Sequence, residues 1–558
     1  MNYLNKILKS KFSIILSFLL LSIVQVKPFI TKNLMLKNWG NFFDIDFHVC
    51  RLISMNDIFT HPINYTVFSQ TGNGTNLFYP WIFLYPANLV AKLFNSYVIG
   101  YISLFVLITF STFLVYFYCG KYFFKSSKAA SLFSVVYVFS NVRYQYGYFL
   151  NDFGHFTAMI FLPLVFLYWH KIVFKKENSW IGLAVSMSLL AYSHVLSTLL
   201  AGFLLIILSL FFFKNSFNKF VVINFFKATI SFLFITAFFW VTLLQQLIMV
   251  RTTKPITFLL QSTAYAPKEM LKSALSDNLN ATATGSIGII GLFTIIIGTL
   301  MLIKSTYRFK VIYFLSIGTL FITTNKVPWK IFQHTPISVI QFPFRFIEFT
   351  SLFLALFFVM IIQRLIKLNL KKTFLISAIV VSLGFTTSTI LVNSKLKIET
   401  KYYSNSNDFR NISRNYATKD YVPLKSSAGM ITTQGGIVRE HDIKKNIIDK
   451  KYLINGSDSP IKAYYGDTNV MINLEDINHN YVLDTPIYYY EGTFAKIDGK
   501  ITNVKQSDRG TVQLEIPKHS KKLEITNEYT NLAKFSAILS LTTLLFILFN
   551  LYFRKLKK

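Results

Sequence analysis

The sequence predicts a polytopic α-helical membrane protein with a β-rich soluble domain inserted before its last helix. Of the 558 residues, 53% are hydrophobic and 17% aromatic, and the mean hydropathy is +0.45, unlike a soluble globular domain. Long apolar runs alternate with short basic clusters, and 17 of the 25 acidic residues lie within residues 394–531. The net charge of +32 is therefore interpreted as orientation signals along membrane helices, and nucleic acid is not an expected partner.

Apolar runs near the length that a bilayer requires predict about twelve transmembrane helices. The predicted helices cover residues 12–30, 97–119, 128–142, 155–170, 180–193, 196–213, 221–246, 285–303, 310–323, 346–363, 373–393 and 532–553. Every connection assigned to the cytoplasm is basic, whereas the predicted outer hairpin 192–195 contains no Lys or Arg. Because positive charge accumulates on the cytoplasmic side, both termini are predicted to be cytoplasmic.

Two stretches interrupt this pattern and define the predicted domains. Residues 31–96 form a long outer loop within a transmembrane module that covers residues 1–393, and Pro residues favour a re-entrant or surface-lying helix in its last third. Residues 394–531 contain short β-branched and aromatic runs with Asp-Gly and Arg-Gly turns, typical of strands. This extracytoplasmic β-rich domain would be followed by the last helix and a basic tail, residues 532–558.

Carboxylates are scarce in the first 394 positions, which contain only eight, and the predicted topology places seven of these on the outer side. In the first outer loop, Asp44, His48 and Arg51 are spaced to share one face of a helix. A carboxylate beside a His and an Arg can act as a general base next to an anion-binding group. The simpler alternative is a solvated interfacial helix. If the loop is irregular, Asp44 and Asp46 could instead bind a divalent metal such as Mg or Mn through hard oxygen ligands.

The other predicted outer turns add polar side chains on the same side of the membrane. They are Asp152, His155, His194, Arg345 and Glu348. Each alone could be an interfacial anchor, and Glu348 could simply pair with Arg345 one helical turn away. Their convergence, however, favours one site. Tyr79 and Trp81 could stack on sugar rings, although an interfacial aromatic belt is the simpler account.

The segment from Asp44 to Arg51, with the pattern D-x-x-F-H-x-x-R after the first helix, resembles the GT-C superfamily of membrane glycosyltransferases. More closely, the chain resembles bacterial YfhO-type proteins and the 6-pyruvoyl-tetrahydropterin-synthase-related membrane proteins. Further matching segments are residues 73–80, 147–155, 193–194, 341–346 and 489–500. In such families the first-loop Asp serves as the catalytic base or as a metal-associated carboxylate, and Asp44 occupies that place.

The resemblance implies transfer of a sugar from a polyprenyl-phosphate donor to a cell-surface acceptor such as teichoic acid, another glycopolymer or a glycolipid. The implied catalytic residues are Asp44, Asp46 and His48, and the implied ligands of the donor phosphate are Arg51, His155 and Arg345. Asp152, His194, Glu348, Tyr79 and Trp81 would support the site or contact the substrate.

Two other functions stay open at this point. A transporter or flippase of lipid-linked sugars would have charged residues at mid-membrane and broken helices in paired halves. A non-catalytic scaffold of a cell-wall polymer assembly complex could keep the fold without the reaction. The sequence favours the transferase, because the charged residues gather at one predicted rim of the membrane.

Overall fold

A computed structural model of the chain describes residues 11–38, 44–277, 285–396, 401–432 and 438–556. The chain forms two compact units, each built from three separate stretches of sequence. Unit 1 comprises residues 1–44, 101–228 and 258–404, and unit 2 comprises residues 45–100, 229–257 and 405–558. The predicted domains, with boundaries at 393 and 531, are continuous stretches of sequence and stay predictions. The two units are instead defined by which residues pack together.

Unit 1 is helical. Its α-helices lie at Lys11–Val26, Tyr97–Phe124, Ser127–Val138, Asn141–Tyr144, Phe153–Ala158, Leu162–Lys175, Trp180–Ala191, Val195–Phe211, Phe213–Ser216, Lys219–Ile235, Leu260–Thr263, Pro267–Leu275, Gly288–Met301, Tyr307–Ile322, Ile347–Leu365 and Leu370–Leu396, the 3-10 turns at Lys27–Phe29, Trp329–Phe332, Pro336–Ile340 and Pro343–Phe346, and a π-helix at Gln145–Phe149. A short antiparallel ladder pairs strand Leu36–Asn38 with Lys401–Tyr403.

Five helical segments of the described chain are long and apolar enough to cross a membrane. They are Phe12–Phe29, Tyr97–Phe124, Pro343–Leu365, Leu370–Ile390 and Asn531–Phe553, and a sixth span results if the bent pair Lys219–Ile235 and Ala237–Met249 is counted as one. The prediction of a helical membrane protein is thereby confirmed, while the count of twelve and the side of the termini stay predictions. In the most apolar 18 residues of Pro343–Leu365, 83% of the residues are buried, a larger share than in any other of the five segments. The rest of unit 1 therefore packs around this helix.

Two predicted helices are broken in the structure. The helix predicted at 155–170 is replaced by Phe153–Ala158 and Leu162–Lys175, and Pro163 stands in the first turn of the second segment. Proline lacks a backbone N–H and is tolerated only at the start of a helix, so the first segment cannot run through it. The helix predicted at 221–246 is bent by 66° between Ile235 and Ala237.

The bend near Thr236 has a cause that the local sequence does not contain. The hydroxyl of Ser540 accepts a hydrogen bond from the amide of Phe238 at 2.9 Å and donates one to the carbonyl of Phe234 at 3.1 Å. In a continuous helix these two backbone groups would bond to each other. Ser540 therefore inserts into the helical ladder and satisfies both groups, which is a recognised origin of a sharp kink.

Unit 2 combines helices with two antiparallel sheets of five strands each. Its helices lie at Ile45–Ile53, Thr75–Phe78, Tyr85–Leu93, Ala237–Met249, Ser406–Asn415, Lys445–Ile448 and Asn531–Leu556, with 3-10 turns at Phe68–Gln70 and Leu424–Ser426. One sheet has the strand order Lys505–Gln506, Thr511–Ile516, Tyr481–Tyr488, Tyr452–Ile454 and Ser457–Ser459. The other has the order Lys500–Thr502, Thr493–Ile497, Lys522–Asn527, Asn469–Asn473 and Ala463–Tyr465. The remaining strands are Thr257–Phe258, Ser427–Thr432 and Val438–Ile443.

The two five-stranded sheets form a sandwich around a single hydrophobic core. Val512 and Leu514 of one sheet and Ile472 and Ile525 of the other belong to the same buried cluster. Alternate residues of a strand point to opposite faces, which explains why Thr511–Ile516 buries its apolar side chains in alternation with Gln513 and Glu515. The predicted strand-rich region near the carboxyl end is confirmed.

The predicted Asp498-Gly499 turn is a two-residue hairpin. It joins Thr493–Ile497 to Lys500–Thr502, and φ is +46° at Asp498 and +83° at Gly499. Positive φ at both central residues is the geometry that matches the twist of paired strands, and the Asp-Gly pair adopts it at low cost. This element could be read directly from the sequence.

Candidate functional site

Within unit 1, the segment that ends at Asp44 meets the segment that follows the π-helix. The amide of Asp44 donates a hydrogen bond to the carbonyl of Leu150 at 3.2 Å, and the Asp44 side chain is exposed. Two residues after Leu150, Asp152 caps helix Phe153–Ala158, accepting a hydrogen bond from the amide of His155 at 3.1 Å. Asp44 is therefore brought next to the segment that carries Asp152 and His155.

His155 lies between two carboxylates. Its Nε2 is 2.7 Å from Oε2 of Glu348, and its Nδ1 is 3.7 Å from Oδ2 of Asp152. His155 and Glu348 are both fully buried. The predicted pairing of Glu348 with Arg345 is wrong, because Glu348 pairs with His155 from another part of the chain. An imidazole flanked by two carboxylates is also poorly placed to attract a phosphate, which argues against the predicted role of His155 as a donor-phosphate ligand.

A second layer of polar side chains fixes the orientation of Glu348. The hydroxyl of Ser197 donates to Oε2 of Glu348 at 3.3 Å, and the amide of Ser197 donates to Nδ1 of His194 at 3.2 Å. Because an amide can only donate, Nδ1 of His194 carries no proton and serves as the cap of helix Val195–Phe211. His194 thus orients Ser197, and Ser197 orients Glu348.

Aromatic stacking holds the imidazole of His155 in place. Its ring centroid lies 4.0 Å from that of Tyr146 and 5.2 Å from that of His194, and both pairs of rings are stacked. Tyr146 belongs to the π-helix Gln145–Phe149, a helix type that is rare and often occurs at functional sites. A Cβ at Gly147 would come within 2.6 Å of the Phe156 ring, so glycine is required for this close approach.

The carboxylates of Asp152 and Glu348 differ in how their negative charges are stabilised. Burial alone would raise the pKa of Asp152, but hydrogen bonding to His155 and the nearby positive charges lower it more, to well below its usual range. Asp152 is therefore ionised at physiological pH. Oε1 of Glu348 is buried and has no hydrogen-bond partner among the described residues. Such an acceptor is expected to find a partner when the protein is at work.

Arg345 is a buried cation of unit 1 whose hydrogen bonds to Ile340 and Gln341 use only one of its three guanidinium nitrogens. Its Nη1 donates to the carbonyl of Ile340 at 2.7 Å and to Oε1 of Gln341 at 2.8 Å, while its guanidinium lies 4.8 Å from the ring centroid of Phe342. These contacts fix one edge of the guanidinium. Its other nitrogens are not among the buried atoms that lack a partner, so the predicted role of Arg345 as a phosphate ligand is compatible with the structure.

Asp46, His48 and Arg51, the first-loop candidates that belong to unit 2, differ in how deeply they are buried. The helix Ile45–Ile53 buries His48 and Arg51, at 1% and 0% exposure, and places Asp46 in its first turn. A carboxylate in the first turn is favourable for any helix, so Asp46 has an ordinary structural explanation. Asp44 lies one residue before the helix and is exposed, whereas His48 and Arg51 are buried, so the common face of the three side chains stays a prediction.

Arg51 links the first-loop helix to the segment that follows it. Its guanidinium donates to Oδ1 of Asn76 at 3.1 Å and to the carbonyls of Tyr79 and Pro80 at 3.3 and 2.6 Å, and it lies 4.3 Å from the ring centroid of Tyr79. Burial lowers the pKa of Arg51 to about 10, so it remains protonated near neutral pH. These contacts tie the first-loop helix to residues 76–80. Nη1 of Arg51 is buried without a hydrogen-bond partner among the described residues, and the role of Arg51 as a ligand of the donor phosphate stays a prediction.

The two aromatic candidates also have interior contacts. Tyr79 is partly buried beneath the Arg51 guanidinium, and Trp81 is only 7% exposed. The Trp81 ring packs edge-to-face against Phe59 at 5.3 Å and Phe238 at 6.4 Å. A ring packed in this way contributes to the core of unit 2, so the predicted stacking of Trp81 on a sugar is not supported.

A metal site was predicted at Asp44 and Asp46. Across the described part of the chain, no three His, Cys, Asp or Glu side chains are grouped so that they could hold a metal ion. Asp44 and Asp46 could therefore contribute two carboxylates at most, and a metal there would need its other ligands from water or substrate.

Sequence reasoning missed two members of the unit 1 cluster. Ser197 is one turn into an apolar helix, and Tyr146 is one of several Tyr in a short aromatic run. The one available signal was position, since Ser197 follows His194 by three residues, the spacing of a helix cap and the residue it bonds.

Comparison with known proteins gives one match. The family model described as "6-pyruvoyl-tetrahydropterin synthase related domain; membrane protein" matches residues 77–400, more than half of the chain. No curated protein and no solved structure matches the chain.

Proposed function

The chain belongs to this family of membrane proteins, and from that premise we propose that it is a glycosyltransferase of the GT-C type. It would move a sugar from a polyprenyl-phosphate donor to a cell-surface glycopolymer or glycolipid on the outer side of the membrane. We also propose that the chain has twelve transmembrane helices and that both termini are cytoplasmic. The observation that carries it is the placement of exposed Asp44 beside the Asp152–His155 segment and the buried His155–Glu348 pair.

The proposed reaction is an inverting transfer with Asp44 as the general base. An acceptor hydroxyl attacks the anomeric carbon of the sugar, and the bond between that carbon and the phosphate oxygen breaks. The hydroxyl proton passes to the carboxylate of Asp44, and polyprenyl phosphate leaves with the bonding electrons. Arg345 would stabilise the charge that develops on the leaving phosphate, since its guanidinium keeps donors beyond those bonded to Ile340 and Gln341.

In this proposal the cluster around His155 positions groups and does not touch the reacting atoms. Glu348 holds one nitrogen of His155, and Asp152 faces the other. Because Asp152 also caps the helix that carries His155, the pair fixes the chain segment against which Asp44 lies. Positioning of this kind is what sets the geometry of a catalytic base.

Transport of a lipid-linked sugar is the second candidate, favoured by one observation. The helix bent by 66° at Thr236 is of the broken kind that lines transporter sites. Ser540 satisfies the backbone groups at the break, so the bend has a structural explanation. In the described chain no second helix pair is bent in this way, whereas a transporter built from two halves would have a matching pair.

The decisive experiment replaces Asp44 with Asn in cells and compares surface glycans with those of the wild type and a deletion strain. We expect the Asp44→Asn glycans to match those of the deletion strain, because loss of a general base slows a reaction by about 10²–10⁴-fold. Asp46→Asn, in parallel, tests which of the two carboxylates is the base.

Asp476→Asn serves as the matched control, since Asp476 is an exposed carboxylate of the β-sandwich paired with His519. All variants are compared at equal membrane abundance. If Asp44→Asn and Asp46→Asn both keep wild-type glycans while the deletion strain loses them, the transferase proposal fails and transport or scaffolding takes its place.

A further inference from the structure

Unit 2 contains a cavity of about 330 Å³ beside the entry of a membrane span. Its lining includes Asn56, Asp57, Lys92, Tyr97, Ser406 and Arg410, all of which belong to unit 2. Tyr97 is the first residue of the candidate span Tyr97–Phe124, so the cavity lies at one end of that span. The volume is within the range of small-ligand sites.

The polar wall of this cavity is organised around Asn56. Its Nδ2 donates to the hydroxyl of Tyr97 at 3.2 Å and to Oδ2 of Asp467 at 3.1 Å. Its Oδ1 accepts from Nδ2 of Asn88 at 3.1 Å, and its carbonyl accepts from Nζ of Lys92 at 3.3 Å. The wall is therefore held in place before any ligand arrives.

Two cations face this wall without a neutralising partner. Neither Lys92 nor Arg410 forms an ion pair within the described ranges. The Arg410 guanidinium lies 5.9 Å from the ring centroid of Tyr97. Lys92 and Arg410 together can hold a phosphate, and Asp57 on the same wall can accept a hydrogen bond from a hydroxyl. The cavity thus fits a phosphodiester that carries hydroxyl groups.

An apolar surface adjoins the cavity on the same helix. Helix Tyr85–Leu93 buries Ala87, Asn88 and Ala91 and exposes its apolar side chains instead, with Leu89 at 51% and Leu93 at 78%. Phe94, next in sequence, is 59% exposed. A helix that turns large apolar side chains outward directly before a membrane span is suited to lie in the lipid interface.

We propose that this cavity binds the headgroup of an anionic glycerophospholipid, of which phosphatidylglycerol is the simplest with free hydroxyls. Lys92 and Arg410 would hold the phosphate, Asp57 a glycerol hydroxyl, and the acyl chains would run along Leu89 and Leu93. The surface would anchor the first outer loop to the bilayer. This site is separate from the proposed transfer reaction and does not depend on it.

The test uses the full-length protein in nanodiscs of phosphatidylcholine to which phosphatidylglycerol is added in increasing fraction. Binding is followed by native mass spectrometry and by the thermal unfolding midpoint. We expect Lys92→Gln and Arg410→Gln each to weaken phosphatidylglycerol binding about tenfold, because each removes one charged donor to the phosphate. Leu93→Gln should weaken lipid binding as well, because it removes the apolar contact.

Lys500→Gln, which removes an exposed cation from the β-hairpin, is the matched control and should bind like the wild type. Unfolding midpoints in pure phosphatidylcholine show whether each variant is folded. Equal phosphatidylglycerol binding by wild type, Lys92→Gln and Arg410→Gln would overturn the proposal. So would stabilisation of the wild type by inorganic phosphate in phosphatidylcholine discs to the same extent, because the cavity would then bind the free anion and not a lipid.

Discussion

Two buried acid–base pairs, one in each unit, differ in how completely they are bonded. In the β-sandwich, the guanidinium of Arg509 donates to Oδ2 of Asp484 at 2.9 Å and also to the carbonyls of Lys451, Asp484 and Thr485. The other oxygen of Asp484 accepts from Thr511 at 2.5 Å. In unit 1, by contrast, Glu348 meets His155 and Ser197 through one oxygen, and its second oxygen has no partner among the described residues.

The difference separates a structural pair from a candidate functional one. Buried ions are tolerated when their remaining hydrogen-bonding capacity is filled, as it is at Arg509 and Asp484. A buried carboxylate oxygen left without a donor is costly and persists where it has another use. We therefore expect substitutions in the first pair to act on stability, and substitutions in the second to act on activity.

The largest expected effect is on stability, from Arg509→Leu. Removal of one partner leaves the Asp484 carboxylate buried and uncompensated, which typically costs about 3–5 kcal/mol. The thermal unfolding midpoint of the purified protein should therefore fall by several degrees, while transfer activity per folded molecule stays at the wild-type level. Unfolding is followed by intrinsic fluorescence in detergent.

The double variant Arg509→Leu with Asp484→Leu is the matched control for this prediction. Because it removes both charges, it should recover much of the lost stability. If the double variant is as unstable as the sum of its single variants, or if activity per folded molecule falls, the pair is more than structural and the contrast with Glu348 is lost.

The second effect is on activity, from Glu348→Gln. Glutamine keeps the shape of the side chain and its contact with Ser197 but removes the negative charge facing His155. We expect sugar transfer to fall by about 100-fold, equivalent to about 2.7 kcal/mol, with stability changed by less than about 1 kcal/mol. Glu348 is a positioning residue, so the pH profile of transfer should also shift.

An unchanged pH profile with a lowered unfolding midpoint would contradict this prediction and would make Glu348 structural, like Asp484. Glu348→Asp is the conservative variant, and it should restore part of the activity because it restores the charge. Both variants are assayed in membranes at matched abundance.

The sequence made the unit 1 cluster partly predictable. The scarcity of carboxylates singled out Asp44, Asp152 and Glu348, and the predicted topology places all three on one side of the membrane. The structure supports that grouping, since Asp44 bonds to the segment of Asp152 and His155 meets Glu348. Charge that is rare in a membrane protein is a strong signal, because it is retained only where it has a use.

Pairing and packing were not predictable, because they depend on contacts between distant parts of the chain. Arg51 was predicted as an anion ligand, yet its Nε and Nη2 donate to Asn76 and to the carbonyls of Tyr79 and Pro80. The bend at Thr236 depends on Ser540, about 300 residues further along the chain. Helical periodicity in the sequence predicts which residues share a face of a helix, but it does not predict which distant residues contact that face.

The smallest expected effect sharpens the comparison with a third charge, that of the partly buried Lys450, which has no acidic partner among the described residues. Lys450 donates to the carbonyl of Ser69, lies 5.6 Å from the ring centroid of Tyr465, and forms no ion pair among the described residues. Burial lowers its pKa from 10.5 to about 7. Between these two values the unfolded chain holds a proton that the folded protein has released, so stability should rise with pH.

The expected rise is about 1 kcal/mol for each pH unit above 7, and stability should show no such dependence below 7, where both states are protonated. The measurement compares unfolding midpoints of the wild type and Lys450→Met between about pH 6 and pH 9, a range that brackets the lowered pKa of Lys450. Methionine keeps much of the length without a charge, so the difference between the two curves isolates Lys450. Parallel curves would show that Lys450 keeps its charge in the folded protein. The carbonyl of Ser69, which is neutral, would then be enough to stabilise this partly buried cation.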